Sequence, residues 1–310
     1  MTFGIALTNV LITLFYMTPG FLLAKAKKGR PEHLSTLSAI LIYVGTPFLE
    51  ISAFLSMEYS REAVIYMALF LPVTLVLQTA FMLLIRLVLW KKYRENRFRI
   101  MSIGAVLGNV GFFGLPVVRA ILPDNPEVAC YSACFMVSMN ILVFTAGVFF
   151  LTGEKKYISV KAALWNPTVV GFVLGLPFFF FDLGRFLPEA LKSAVSILGG
   201  LTTPLCMIIL GIRLASAPVK RIFADPTVYA ASFLKLLIFP VFAYGIVSLF
   251  PLPFSFRAAV LILSGTPCAS VMLSLAEIHG NETERSAGCV LVSTLFSFLT
   301  VPLLTLLLPG

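Results

Sequence analysis

The sequence predicts an all-α polytopic membrane protein with ten transmembrane helices. Three observations carry that prediction. The 310 residues are 59% hydrophobic and 12% charged, with mean hydropathy +0.99, whereas soluble domains are nearer a quarter charged. The apolar residues fall into continuous runs of about 20, the length of a membrane-crossing helix, without the period-2 alternation of a barrel strand. Two of the runs are interrupted at corresponding places in the two halves of the chain, at Leu107-Gly108-Asn109-Val110-Gly111-Phe112-Phe113-Gly114-Leu115-Pro116 and at Gly265-Thr266-Pro267-Cys268. A broken backbone at membrane depth is tolerated only where it is buried in protein or lines a cavity, and paired interrupted segments point to a transporter binding site.

The spans are placed at roughly 5–24, 34–55, 63–90, 99–121, 128–151, 164–183, 190–214, 226–250, 257–278 and 284–308. The first lacks a preceding basic region and is read as retained rather than cleaved. The second carries Thr46-Pro47. The third is long enough to tilt, or to pass the bilayer at Arg86–Trp90. The fourth and ninth hold the two interruptions. The five cysteines (130, 134, 206, 268, 289) all fall in or beside apolar runs, where they read as small hydrophobes. Neither a Cys-x-x-Cys nor a Cys/His cluster suggests a metal, and no cofactor is expected. Phe178–Phe181 and Phe186 read as a lipid-facing wall.

The net charge of +9 reads as topology rather than nucleic-acid binding, because the cations sit in loops. Sixteen Lys and Arg fall on the side of the loop after span one, including Lys25 to Arg30, Lys91 to Arg99 and Arg213, Lys220 and Arg221. Five (Arg61, Arg119, Arg185, Lys192 and Arg257) fall on the other side. The positive-inside rule makes the first side cytoplasmic and leaves both termini extracytoplasmic.

The chain also repeats itself. Asn9 matches Asn166 and Thr46-Pro47 matches Thr203-Pro204, both at an offset of 157; Gly108-Asn109 matches Pro267-Cys268 at 159; Cys134-x-x-Val137-Ser138 matches Cys289-x-x-Val292-Ser293 at 155. This predicts two five-span repeats, 1–155 and 156–310. Five is odd, so the second repeat enters the membrane inverted.

Gly-Asn-Val-Gly-Phe-Phe-Gly-Leu-Pro over 108–116 resembles the fourth-span signature of the auxin efflux carrier family. Gly265-Thr266-Pro267-Cys268-Ala269-Ser270, Leu275-Ala276-Glu277 and Ser293-Thr294-Leu295 resemble its last two spans. The resemblance covers the whole chain. With no long central loop, the chain is more similar to compact prokaryotic malate- or malonate-type permeases than to plant PIN-type carriers. The resemblance implies a prokaryotic inner membrane and the fold of bile-acid and sodium/proton transporters, with broken spans four and nine crossing at mid-membrane. It also implies a scaffold of spans 1, 2, 6 and 7, a moving transport domain of spans 3–5 and 8–10, and a homodimer. One departure is that Gly108 stands where plant carriers have proline before the polar crossover residue; only Pro267 keeps it.

Broken helices expose N-terminal ends with unpaired N–H groups and about half a positive charge, which together make an anion site. The predicted substrate-binding residues are Asn109 with Gly108 and Val110, and Thr266, Pro267 and Cys268 on the second break. Asn109 has a second reading as a cap of its own helix, and Cys268 as packing. Ionisable or polar groups within spans are functional candidates because their burial is costly. Lys235 could balance a substrate charge or snorkel. Arg213 could do the same from a span end. Glu50 could carry a proton or pair with a cation, and Asn140 could bond between helices. Proton or sodium coupling is open.

The predicted function is secondary active transport of small organic anions such as malate, malonate or auxin-like acids, by elevator-type alternating access. The alternatives are a channel-like uniporter, disfavoured by the lack of repeated polar rings, and a non-transporting sensor or partner subunit. An enzyme is not expected: there is no Walker A sequence, no H-E-x-x-H and no plausible triad.

Overall fold

The structure, a computed structural model, describes residues 2–280 and 282–308. Met1, Asn281, Pro309 and Gly310, the outer limits of the two predicted repeats among them, lie outside the described residues. So do the side chains of Val219 and Lys220, the latter one of the predicted cytoplasmic cations.

The described residues are helical apart from loops and one isolated antiparallel bridge. Among the described residues, eight helices are long and apolar enough to cross a membrane: α1 (Thr2–Lys25), α2 (Pro31–Leu55), α3 (Arg61–Val88), α6 (Val128–Thr152), α7 (Lys155–Phe180), α8 (Glu189–Ser216), α9 (Pro226–Val247) and α12 (Thr283–Leu307). The expected fourth span is two shorter helices, α4 (Asn96–Gly104) and α5 (Val110–Ile121), and the expected ninth is α10 (Phe254–Ser264) and α11 (Ser270–His279). Among the described residues there are thus eight continuous long helices and two pairs of shorter ones, the pairs falling where the sequence places the two interruptions. The physical reason is local. Gly and Pro at the two breaks free backbone groups that a single helix could not re-pair.

Three of the four π-type turns among the described residues precede prolines; the fourth, Val143–Gly147, does not. Leu41–Gly45, Val110–Gly114 and Leu234–Ile238 each form a wide π-type turn, and each is followed two residues on by Pro47, Pro116 or Pro240. A proline ring inside a helix clashes with the carbonyl four residues back, and the widened turn relieves that clash without ending the helix. The Thr46 hydroxyl donates to the Leu41 carbonyl across such a turn at 2.9 Å.

α6 and α10 form the interior. Every residue from Val128 to Met139 is buried, and so are Ala258 to Ser264. Both are apolar on all sides, which marks a helix enclosed by protein or lipid. α1 packs on α8 through two glycines: a Cβ on Gly20 would lie 2.0 Å from the Ile208 carbonyl oxygen, and one on Gly211 2.0 Å from that of Met17. Small residues let backbones approach where lipid supplies no hydrophobic drive between helices. The expected phenylalanine wall is only partly lipid-facing. Phe181 and Phe186 are exposed, but Phe179 turns inward and packs on Phe54.

Candidate functional site

The two breaks meet. Leu107 to Asn109 and Pro267 to Ala269 run antiparallel, and Gly108 pairs with Cys268. The Asn109 amide donates to the Pro267 carbonyl at 2.7 Å, and the Ala269 amide to the Leu107 carbonyl at 2.9 Å. The two interruptions thus satisfy part of each other's freed backbone, which is how irregular chain survives at membrane depth. In this antiparallel pairing 107 lies opposite 269, 108 opposite 268 and 109 opposite 267.

Packing demands Gly108. A Cβ there would lie 2.4 Å from the Thr266 hydroxyl and 2.8 Å from Lys235 Nζ. Lys235, on α9, is fully buried, donates to the Ser264 carbonyl at 2.5 Å, and stands 4.9 Å from the centre of the Phe239 ring. Ser264 ends α10, so the ammonium sits on a helix C-terminus, the end that favours a cation.

The opposite polarity faces a cavity of about 190 Å³. α5 and α11 both start at its floor, and the amides of Gly111, Phe112, Ser270 and Val271 donate to no acceptor among the described residues. Asn109 lies on that floor, 4% exposed. Its side chain makes no cap bond to α5; its Nδ2 instead reaches the Cys206 thiol on α8 at 3.7 Å.

One wall is built from α2, α7 and α8, with Thr46, Asn166, Thr168 and Cys206. The other comes from α5, α6 and α11, with Phe112, Met136, Asn140 and Ser270. Asn166 fixes the start of the main run of α7, accepting from the Val169 amide at 3.1 Å. Asn140 donates to the Met136 carbonyl at 2.8 Å and to the Thr168 hydroxyl at 3.3 Å, linking α6 to α7 across the cavity. Arg213 lines the mouth and pairs with Glu277 of α11 at 2.7 Å.

Among the sequence-predicted residues, the cavity brings together Gly108, Asn109, Val110, Asn140 and Arg213. Thr266, Pro267 and Cys268 do not line it. The Thr266 hydroxyl donates to the Leu263 carbonyl at 2.8 Å. The Cys268 thiol turns to the Gly104 carbonyl at 3.1 Å, and its amide donates to the Ser293 hydroxyl at 2.9 Å. Lys235 lies on the other side of the crossing, and Glu50 is one helical turn beyond Thr46, outside the cavity wall. The sequence reading missed Thr168, Cys206 and Ser270. Thr and Ser carry no sequence signal that separates a cavity wall from ordinary helix packing. In the sequence Asn166 stands out only as the repeat partner of Asn9.

Comparison with known proteins gives these features a context. The chain matches the membrane transport protein family over residues 5–164 and again over 156–305. An uncharacterized transporter of Methanocaldococcus jannaschii is 26% identical over 95% of this chain and 96% of its own length. One of Methanothermobacter thermautotrophicus is 26% identical over 97% of both chains. A Rhizobium meliloti protein named "Putative malonate transporter" is 26% identical over 63% of this chain and 62% of its own. The chain is a multi-pass protein of the bilayer rather than an enzyme, and it belongs to the membrane transport protein family, the auxin efflux carrier family whose signature 108–116 resembles.

Proposed function

We propose that this protein is a secondary transporter of small organic anions, with the cavity above the 108–268 bridge as its substrate site. The observation that carries the reading is the convergence of two helix N-termini, α5 and α11, on one cavity floor beside the Asn109 carboxamide. Each terminus contributes about half a positive charge and free amides, so a carboxylate is favoured there without a lysine in the cavity floor. The volume of about 190 Å³ is below the roughly 300–1,000 Å³ of pockets for drug-sized ligands, which suits a small acid. The malonate named for one relative is of that class.

In this reading each interrupted pair counts as one crossing, giving ten crossings in two inverted repeats. α1, α2, α7 and α8 form the scaffold; α3 to α6 and α9 to α12 move against it. The cavity lies on the seam between these groups, and the Arg213–Glu277 pair spans the seam at its mouth. With the basic loops read as cytoplasmic, the mouth beside Arg213 faces inward, and the reading puts the protein in a prokaryotic inner membrane with both termini outside.

The test is charge movement in proteoliposomes on addition of malonate, malate or indole-3-acetate, for wild type and Asn109→Ala. A saturable transient for one acid, lost in Asn109→Ala, is expected. Silence for every acid with well-folded protein would overturn the reading.

A further inference from the structure

A second cavity of about 540 Å³ lies at the opposite end of the helices from the basic loops. It is lined by Ser56, Met57, Glu58 and Glu62 around the α2–α3 connection, and by Glu127 and Tyr131 around the start of α6. The crossover cavity uses the same two helices at a lower level, at Thr46 on α2 and Met136 and Asn140 on α6. The stretch of α2 and α6 between those levels is the septum that separates the cavities, and Glu50 is inside it.

Glu50 is 1% exposed, and neither carboxyl oxygen has a hydrogen-bond partner among the described residues. The surrounding packing is close. The Cys130 thiol of α6 donates to the Ala53 carbonyl of α2 at 3.6 Å, and a Cβ on Gly171 of α7 would lie 3.1 Å from the Glu50 Cβ. The titratable groups facing Glu50 from α6 are Cys130 and Cys134. Arg119 on α5 and Glu127 at the start of α6 lie further out, around Cys130. The Pro167–Phe180 run of α7 carries no titratable side chain. The part of α8 that packs on α2 carries only Glu189 and Lys192, paired with each other in its first turn. An ionised carboxylate in the septum would have neither water, hydrogen bond nor counter-charge, which a protein interior does not support.

We propose that Glu50 is a proton-binding site that controls the seal between the two cavities. Its neutral acid lets the α2–α6 seam close as it stands here, and its carboxylate, hydrated from the larger cavity, holds the seam open. The step is a proton transfer: the carboxyl O–H bond breaks, and water in the larger cavity receives the proton. Glu58, Glu62 and Glu127 at the rim of that cavity add like-charge repulsion once Glu50 ionises. The sign follows from linkage: acid on the side of the larger cavity favours the sealed state, and alkali favours the parted one. The inference rests on the elevator reading for the identity of the moving parts. It does not depend on which acid is carried.

The experiment measures the seam directly. Spin labels are placed on the full-length protein in nanodiscs at Ser56→Cys, at the end of α2, and Asp124→Cys, before α6; all five native cysteines are buried. The distance distribution is recorded from acid to alkaline pH, with and without Glu50→Gln. Wild type is expected to gain a longer-distance population as pH rises. Glu50→Gln, the shape of the neutral acid, is expected to stay in the short population throughout. A wild-type distance that ignores pH, or a Glu50→Gln protein that opens as wild type does, overturns the proposal. Malonate uptake by the same proteins is read in parallel. Its absence at every pH would count against the anion-carrier reading, while the distance result stands on its own.

Discussion

The Asn109 amide donates to the Pro267 carbonyl at 2.7 Å, tying two residues 158 positions apart at the point where both broken segments lose their helical bonds. Neither break is stable alone in a membrane, since each unsatisfied backbone group there costs several kcal/mol. The crossing is therefore the partner that each interruption requires. It also orients the chemistry. Helix starts and Asn109 face the cavity, whereas the α10 end at Ser264 faces Lys235.

Gly108→Ala should disrupt this crossing. The new Cβ would meet the Thr266 hydroxyl and the Lys235 ammonium within 3 Å, and both are buried and hydrogen-bonded to backbone carbonyls that a shift would abandon. Overpacking of this kind costs about 1–3 kcal/mol. The expected result is a lower melting temperature in detergent together with loss of transport. An unchanged melting temperature would show that the crossing has slack.

Lys235→Met keeps much of the side-chain bulk but removes the charge. It leaves the Ser264 carbonyl at the α10 end without its charged donor, a bond worth about 1.5–3 kcal/mol. If that cation stabilises the occupied crossover, apparent affinity for the transported acid should fall by at least about tenfold. Saturation curves on reconstituted protein decide it, and an unchanged half-saturation concentration would confine Lys235 to a structural role.

Gly211→Ala separates packing from binding. It lies on the α1–α8 contact, where its Cβ would collide with the Met17 backbone, and it is not part of the cavity wall. The expected outcome is a destabilisation of about 1–3 kcal/mol or more, with binding of the acid retained by whatever fraction folds. Loss of binding without loss of stability would contradict this.

Asp225 gives the protein an acid sensitivity on the basic-loop side. Burial works to raise its carboxyl, but hydrogen bonds from Thr227 and Arg285 outweigh that and hold it below its usual 3.8. A depressed carboxylate stabilises the fold above its unfolded value and loses that contribution as pH falls through the folded one. Asp225→Asn should therefore lower stability by about 1 kcal/mol near neutrality, allowing for solvent screening. The difference from wild type should shrink below about pH 3.8. Thermal unfolding against pH measures it, and a difference that persists undiminished in acid would remove the charge from the explanation.

Composition and run length alone determined that this chain is a bundle of apolar helices, because a 20-residue apolar run has few other stable fates in water or lipid. The signature around Asn109 also marked where the helices break, since three glycines and a proline in an apolar run cannot continue a helix undisturbed. Only the tertiary structure decided which side chains face the cavity. Cys268 and Thr266 sit beside Asn109 in the crossing, yet they turn to the Gly104 and Leu263 carbonyls, a direction set by the antiparallel packing of the two breaks. Thr168, Cys206 and Ser270 reach the cavity from three different helices. Their convergence depends on helix rotation and on close helix contacts, and helices that are apolar on every face do not encode their own rotation in a hydrophobic period.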